Sequence, residues 1–361
     1  QPRAASEEGW RQPVTERKTL LESIANTTAD YRAGDLPAPT AEHVDRWVCQ
    51  FGAEVQVPLL RELDHVLKQT YFARATVSQF FGKQIAHKTL AGDQPCDYWR
   101  KAHFLDIQQN GHSQAEIRQL FGEALKTQCG LDIEQCGADG GDFIYLDDVL
   151  FTGGRIGADL SSWLAGAAPG HGTVHVLVIA AHRLGEWQCA QRLEKDAQAA
   201  GKHLKFKFWA ALRVENRKTY RAASEVLWPA VIPDDATLKA YMAEEQKFPF
   251  EPRVPGGKLE HPIFSSEEGR QLLERELLLA GMRIRSFSQN PSKALRPLGF
   301  SPFGLGFGSM IVTYRNCPNN VPLALWWGDP EAGAGHPFSK WYPLLPRKTY
   351  AQDLDFDVID F

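Results

Sequence analysis

The chain has 361 residues, of which 43% are hydrophobic and 23% are charged, and its formal net charge is -4 at pH 7. This composition is that of a globular protein with one or two domains, and it excludes a disordered chain. The nearly balanced charge gives no global reason to bind nucleic acid or an anionic membrane. No apolar run approaches the roughly 20 residues that span a bilayer, so we expect a cytoplasmic protein without a membrane partner.

The 6 cysteines are scattered and form no CxxC pair. Zinc sites usually need closely spaced thiols, and a disulfide framework is typical of small secreted domains. We therefore expect neither, and we expect the thiols to be reduced.

Composition and hydrophobic period divide the chain into three predicted segments. Residues 1–100 are predicted to be helical, because Thr40 is a suitable N-cap and apolar residues recur with the helical period over 58–71. Residues 101–230 alternate short apolar runs with helical patterns and are predicted to form the core. Residues 231–361 are predicted to form an α+β extension, or hood.

The extension contains two patterns that predict definite elements. SSEEGRQLLERELLLAG (265–281) is typical of an amphipathic helix that ends at Gly281. VPLALWW (321–327) is predicted to be a short strand.

The middle segment has the pattern of repeated βαβ units, which predicts a parallel α/β sheet with helices on both faces. Its first helix is predicted to begin with a capping box formed by Ser113 and Glu116. The predicted strands lie in HFLDI (103–107), FIYL (143–146), VHVLVIAA (174–181) and LKFKFWAAL (204–212).

The segment LDDVLFTGGR (146–155) follows the second predicted strand and carries the clearest chemical pattern of the chain. Asp147 and Asp148 stand at the carboxyl edge of the sheet, where open parallel sheets bind ligands. Adjacent buried carboxylates require hydroxyl groups or a metal ion as partners. The turn after them leads into a helix, whose first N–H groups favour a phosphate. We therefore predict ribose hydroxyls on the carboxylates and a 5′-phosphate in the turn, whose residues are Thr152, Gly153, Gly154 and Arg155.

This stretch resembles the signature of type I phosphoribosyltransferases, in which an apolar strand is followed by two acidic residues, two apolar residues and Thr-Gly. In that family the carboxylates hold the ribose 2′ and 3′ hydroxyls of phosphoribosyl pyrophosphate (PRPP), and the turn holds its 5′-phosphate. The resemblance implies a phosphoribosyltransferase-like, Rossmann-like fold over about residues 101–213. It also implies that Asp147 and Asp148 are catalytic, and that Mg²⁺, which is expected with PRPP, contacts them indirectly. The matching residues are Asp147, Asp148, Val149, Leu150, Thr152 and Gly153.

The same resemblance assigns a role to QQNGHS (108–113), the loop between the first predicted strand and its helix. In the family this position holds the pyrophosphate loop. For His112, a solvent-facing side chain without ligand contact stays open as an alternative. The candidate residues of this loop are Asn110, Gly111, His112 and Ser113.

Two positions depart from the family pattern. Phe151 stands where several base-transferring members carry a carboxylate or a threonine that helps the acceptor base. Arg155 replaces the usual second threonine of the phosphate turn, and an arginine can still pair with phosphate. The resemblance therefore implies that the sugar phosphate is bound while ordinary purine salvage is not expected.

Segments 213–229, 265–285 and 314–347 resemble the PRTase-like effectors of bacterial conflict systems, including some retron-type antiphage operons. This resemblance implies a toxic activity on nucleotides or nucleic acid, and a reverse transcriptase with its DNA–RNA hybrid as a possible partner. Residues 202–221 contain seven basic residues and one acidic residue, which is typical of a phosphate-binding patch or of a solvated strand and loop. The candidate nucleic-acid contacts are Arg213, Arg217, Lys218 and Arg221.

Two classes of function stay open. The first is an enzyme of the pentosyltransferase or nucleotide N-glycosidase type that breaks the C1 bond of PRPP or a related ribose 5-phosphate nucleotide. The second is a non-catalytic sensor of PRPP or nucleotides, or an assembly subunit of a nucleoprotein defence complex.

Overall fold

The structure of the protein is a computed structural model, and it divides into two compact units. One unit is Arg74–Arg217, and the other is built from the described residues up to Ala73 and from Lys218 onward. These limits differ from the three predicted segments, because the helices that follow Arg74 pack with the helix and strands of the middle segment. The described residues are 8–109, 113–137, 140–244, 249–302, 304–333 and 335–347.

Helices and strands alternate through the middle of the chain, and helices dominate on both sides of it. In chain order they are α1 (Glu8–Thr27), α2 (Ala41–Val48), α3 (Gln56–Thr70), β1 (Tyr71–Phe72), α4 (Arg74–Ile85), α5 (Lys88–Ala91), α6 (Pro95–Lys101), β2 (His103–Phe104), α7 (Ser113–Cys129), β3 (Phe143–Leu150), α8 (Gly154–Ala165), β4 (His171–His182), α9 (Arg183–Ala199), β5 (His203–Val214), α10 (Ala236–Glu244), α11 (Glu267–Arg285), β6 (Val312–Thr313) and α12 (Leu323–Trp326). Short 3-10 helices lie at Ile133–Gln135, Lys218–Ala223 and Pro337–Lys340.

The unit Arg74–Arg217 is built on a parallel sheet with the strand order β2-β3-β4-β5. The register places Tyr145 of β3 beside Val176 of β4, and Asp147 beside Val178. Because all four strands run in one direction, their carboxyl ends meet at one edge of the sheet. The four strands predicted for this segment are all present. Strand β2 is shorter than its predicted range, whereas β3 continues past Leu146 to Leu150 and so includes Asp147 and Asp148.

Helices cover both faces of this sheet, as predicted. The ring of Phe104 packs against Phe121 of α7, with 5.5 Å between the ring centroids. The next residue, Leu105, belongs to the buried cluster that includes Leu160 of α8 and Leu193 of α9. Neighbouring residues of an extended chain point to opposite faces, so α7 lies on one face of the sheet and α8 and α9 lie on the other. The fold is therefore a parallel α/β sheet flanked by helices, consistent with a phosphoribosyltransferase-like fold.

A disulfide joins Cys96 of α6 to Cys129 of α7. The expectation of reduced thiols is therefore wrong for this pair, which spans 33 residues of sequence. No sequence pattern indicates this disulfide, because the two cysteines become neighbours only when α6 and α7 pack. The other cysteines are free thiols: Cys49, Cys136, Cys189 and Cys317.

The second unit joins distant parts of the chain through a two-stranded parallel sheet, in which Tyr71 of β1 pairs with Val312 of β6. The predicted strand VPLALWW is wrong, because Leu323–Trp326 forms the short helix α12. The predicted end of helix α11 at Gly281 is also wrong, since the helix continues to Arg285. A Cβ atom at Gly281 would lie 2.3 Å from the carbonyl oxygen of Pro297, so this glycine permits a close packing contact inside the helix. In the part of the chain that the structure describes, no helix is long and apolar enough to cross a bilayer.

Candidate functional site

The carboxylate pair lies at the carboxyl end of β3. Asp147 is fully buried, and its Oδ1 accepts hydrogen bonds from the Ser113 hydroxyl at 2.7 Å and from the main-chain N–H of Asp148 at 2.9 Å. Asp148 is partly exposed, and its Oδ1 accepts from the main-chain N–H of Val149 at 2.7 Å. Ser113, which the sequence predicts as a helix cap, thus directs its hydroxyl to the carboxylate pair.

Arg155 bridges the two carboxylates. Its Nη2 atom lies 3.2 Å and 3.1 Å from the two carboxylate oxygens of Asp147, and 3.2 Å from Oδ1 of Asp148. Arg155 stands in the first turn of α8, eight residues after Asp147 in sequence, so the turn between β3 and α8 brings the cation back over the end of the strand. A buried carboxylate is costly without a counter-charge, and Arg155 provides that charge.

The pKa values of the cluster follow from burial and from its charges. Burial raises the pKa of Asp147 to about 6, and the negative charge of Asp148 adds to this effect, while Arg155 and Ser113 oppose it. Burial lowers the pKa of Arg155, but the two carboxylates outweigh it, so the pKa lies above its usual value and the guanidinium keeps its charge. The site therefore holds a permanent cation beside a carboxylate that can take up a proton under mildly acidic conditions.

The loop after β2 is held against this edge by two side chains that the sequence did not single out. The amide oxygen of Gln114 accepts from the main-chain N–H groups of Ile107 and Gln108, both at 2.9 Å. The carboxylate of Asp159 in α8 accepts from the N–H of Gln109 at 3.3 Å and from the Tyr145 hydroxyl at 2.8 Å. These contacts fix the start of the predicted pyrophosphate loop next to Asp147.

The phosphate turn has the close packing that its glycines predict. Gly153 has a φ of 76°, a left-handed conformation, and a Cβ atom there would lie 2.6 Å from the carbonyl oxygen of Gly185. Gly185 itself stands in α9, where a Cβ atom would lie 2.0 Å from the carbonyl oxygen of Phe151. The N–H of Gly154 donates to the Thr152 hydroxyl at 3.3 Å. The turn is therefore pressed onto the first turn of α9, a contact that no local pattern in the sequence indicates.

Phe151, the departure from the family pattern, stacks on His182 at the end of β4, with 5.0 Å between ring centroids. His182 is fully buried, and burial lowers its pKa to about 4. Its Nδ1 lies 3.1 Å from the carbonyl oxygen of Leu150 and therefore donates to it. The position next to the turn thus presents an aromatic ring above a neutral imidazole, and no carboxylate.

The predicted site residues fall into three groups. The structure brings Asp147, Asp148, Arg155 and Ser113 into direct contact, with the turn 152–155 beside them. Three candidates of the pyrophosphate loop lie outside the described residues, namely Asn110, Gly111 and His112. The four basic candidates all form ion pairs.

The basic residues predicted to contact nucleic acid are engaged in ion pairs. Arg213 pairs with Glu186 at 2.9 Å, and Arg217 pairs with Glu215. In the other unit, Lys218 and Arg221 pair with the carboxylate of Glu251, at 2.7 Å and 3.3 Å. The sequence count of seven basic residues against one acidic residue missed Glu186 and Glu251, which come from other segments. Much of the positive charge of this stretch is therefore balanced inside each unit.

Several residues of the site would have been hard to find from the sequence. Asp159 interrupts the apolar pattern of its helix four residues after Arg155, which is the only local sign of a buried carboxylate there. Gln114, Tyr145 and Gly185 have no such sign, because their contacts depend on neighbouring strands and helices. Among the described residues, no group of three or more histidines, cysteines, aspartates or glutamates could hold a metal ion by itself.

A parallel α/β sheet that ends in a carboxylate pair and a glycine turn defines this chain as a phosphoribosyltransferase-like protein. The family model PRTase-CE matches residues 44–347, and the chain belongs to that family. No curated protein and no solved structure matches the chain.

Proposed function

We propose that the carboxyl edge of this sheet binds PRPP or a related ribose 5-phosphate nucleotide, and that the protein cleaves or transfers at C1. The observation that carries this proposal is the carboxylate pair at the end of β3 next to the turn 152–155. The first N–H groups of α8 have no partner within the helix and favour an anion, which supports a 5′-phosphate in the turn. The ribose hydroxyls then donate to the partly exposed carboxylate of Asp148, and the buried Asp147 holds Arg155 beside it.

In the proposed reaction the bond between C1 and the pyrophosphate oxygen breaks, and the pyrophosphate leaves with the bonding electrons. A nucleophile then forms a bond to C1 and loses its proton to solvent. The nucleophile is water, or a group of a nucleotide, a nucleic acid or a protein. Asp148, supported by Asp147 and Arg155, orients the ribose for the displacement at C1.

We propose that Mg²⁺ takes part together with the pyrophosphate. Carboxylate oxygens are the ligands that Mg²⁺ prefers, but both oxygens of Asp147 and one oxygen of Asp148 already accept hydrogen bonds. Asp147 and Asp148 would therefore hold the ion indirectly, through ligand oxygens or water. When bound, the ion would neutralise charge on the leaving pyrophosphate.

The test is release of pyrophosphate from PRPP in the presence of Mg²⁺. We expect the wild type to release pyrophosphate, and we expect the double variant Asp147→Asn/Asp148→Asn to be slower by on the order of 100-fold, because the ribose is no longer positioned. A matched control is Asp97→Asn, since this carboxylate is exposed and forms only a long ion pair with Arg100. Equal rates in the wild type and the double variant, with every acceptor tried, would contradict the proposal.

A non-catalytic sensor of PRPP or nucleotides is the second candidate, and Phe151 favours it. The aromatic ring on His182 stands where base-transferring relatives of the wider family carry a polar group. A sensor would bind PRPP tightly in calorimetry without releasing pyrophosphate, whereas the enzyme would do both.

We further propose that the protein is a toxic effector of a retron-type antiphage system, with a reverse transcriptase and its DNA–RNA hybrid as a partner. The resemblance of segments outside the sheet to such effectors supports this proposal, as do Arg217 and Lys218, which keep partly exposed side chains despite their ion pairs. The protein should then copurify with nucleic acid, and charge reversal at both positions should abolish the association. Purification of the unmodified protein free of nucleic acid from cells that contain the hybrid would argue against it.

A further inference from the structure

Arg155 engages the carboxylate pair with one of its three guanidinium nitrogens. Only Nη2 contacts Asp147 and Asp148, at 3.1 to 3.2 Å. Within the described residues, Nε and Nη1 make no hydrogen bond, and 41% of the side chain is exposed. Nη2 therefore contacts the carboxylates, while Nε and Nη1 are left as donors for a ligand.

Three of the four carboxylate oxygens of the pair already accept hydrogen bonds. Oδ2 of Asp147 and Oδ1 of Asp148 both lie within 3.2 Å of Arg155 Nη2. Oδ1 of Asp147 accepts from Ser113 and from the main chain as well as from Arg155. A cation that bound these oxygens directly would have to displace the guanidinium, and two positive charges at this separation repel each other.

The open side of Arg155 has the chemistry to receive a phosphate. A guanidinium presents its N–H donors in a planar fork that matches two phosphate oxygens, and it stays charged at any physiological pH. Arg155 stands in the first turn of α8, directly after the turn proposed to hold the 5′-phosphate. Arg155 can therefore contact the carboxylates of Asp147 and Asp148 and, at the same time, the phosphate of a bound ligand.

We propose that Arg155 takes the place of a divalent cation on the ribose side of the site, so that ribose 5-phosphate binds without metal. Arg155 neutralises Asp147 and Asp148 through Nη2 and holds the phosphate through its open donors. This inference rests on the proposed function, since it concerns the same sugar-phosphate site. It limits any need for Mg²⁺ to the pyrophosphate end of the ligand.

The test is a calorimetric titration with ribose 5-phosphate, in EDTA and in Mg²⁺. We expect the wild type to bind with the same affinity, within about twofold, in both buffers. Arg155→Thr should bind at least about tenfold more weakly in EDTA, because charge-assisted hydrogen bonds to the phosphate are lost. Mg²⁺ should recover part of that loss, since the carboxylates then become free to attract the ion.

Two further variants keep the test decisive. Arg155→Lys retains the positive charge but loses the fork, so we expect an affinity in EDTA between those of the wild type and Arg155→Thr. Arg100→Thr is a control, because Arg100 is exposed on α6 and, among the described residues, its side chain pairs with Asp97 alone. Thermal unfolding of each variant shows whether Arg155→Thr folds. If Arg155→Thr does not fold, Arg155→Lys replaces it in the comparison with the wild type.

The outcomes separate this inference from the proposed function. Binding by the wild type that requires Mg²⁺ would overturn the inference and leave the sugar-phosphate site standing. Metal-free binding by Arg155→Thr with wild-type affinity would overturn it in the same way. Failure of the wild type to bind either ribose 5-phosphate or PRPP, with and without Mg²⁺, would overturn the proposed function and the inference together.

Discussion

Asp147 combines complete burial with a negative charge, a combination that folded proteins accept only where the carboxylate has strong partners. Here the partners are Arg155, the Ser113 hydroxyl and the main-chain N–H of Asp148. Even with these contacts, burial and the charge of Asp148 leave the pKa of Asp147 raised to about 6. The carboxylate is therefore a source of instability at neutral pH, as expected of a group kept for binding.

The raised pKa predicts how stability depends on pH. The folded state binds the proton of Asp147 more tightly than the unfolded state does, whose pKa is near 3.8. The resulting stabilisation is fully present below that value and is lost as the pH rises through about 6. A difference of roughly two pKa units corresponds to on the order of 2–3 kcal/mol.

Asp147→Asn removes this titration. We therefore expect the free energy of unfolding of the variant, relative to that of the wild type, to be about 2 kcal/mol higher at pH 7.5 than at pH 4.5, as measured by urea unfolding. Asp97→Asn, at an exposed position, serves as the control, and its free energy of unfolding should change with pH as that of the wild type does. Parallel curves for Asp147→Asn would show that the pKa of Asp147 is not raised.

At the scale of single elements, the sequence predicted the strand–turn–helix unit from β3 to α8 well. Its signals are local: an apolar run, two carboxylates, two glycines and an amphipathic helix in direct succession. Gly281 and the helix α12 were mispredicted, because their conformations depend on contacts with distant residues. Gly281 allows the backbone of Pro297 to approach, and the Ala324 carbonyl of α12 accepts from the indole N–H of Trp47 at 2.8 Å.

The helix α7 shows how an element can support a site from outside it. Its first residues, Ser113 and Gln114, hold Asp147 and the loop after β2. Its last residue, Cys129, is bonded to Cys96 of α6. The disulfide thus anchors the far end of the helix that positions the candidate site. Neither contact follows from the periodicity of α7, which predicts only its apolar face.

At the scale of the whole molecule, the sheet unit is formed by one continuous segment, and the other unit is formed by described residues from both sides of that segment. Trp47 of α2 donates its indole N–H to the carbonyl oxygen of Ala324 at 2.8 Å, and the N–H of Ser265 donates to Glu62 at 3.0 Å. Such contacts join residues more than 200 positions apart. Hydrophobic period and capping signals act over one or two helical turns, so a single sequence could predict the sheet and its motif but not this pairing of chain ends.

The proposed sugar-phosphate site at the carboxyl edge of the sheet is tested most directly by a crystal structure of the protein with PRPP and Mg²⁺. We predict the 5′-phosphate within about 3 Å of the main-chain N–H groups of the turn 152–155 and of Arg155. The ribose hydroxyls should lie at the same distance from the partly exposed carboxylate of Asp148. A ligand bound elsewhere, or a turn that stays empty at saturating PRPP, would contradict the claim.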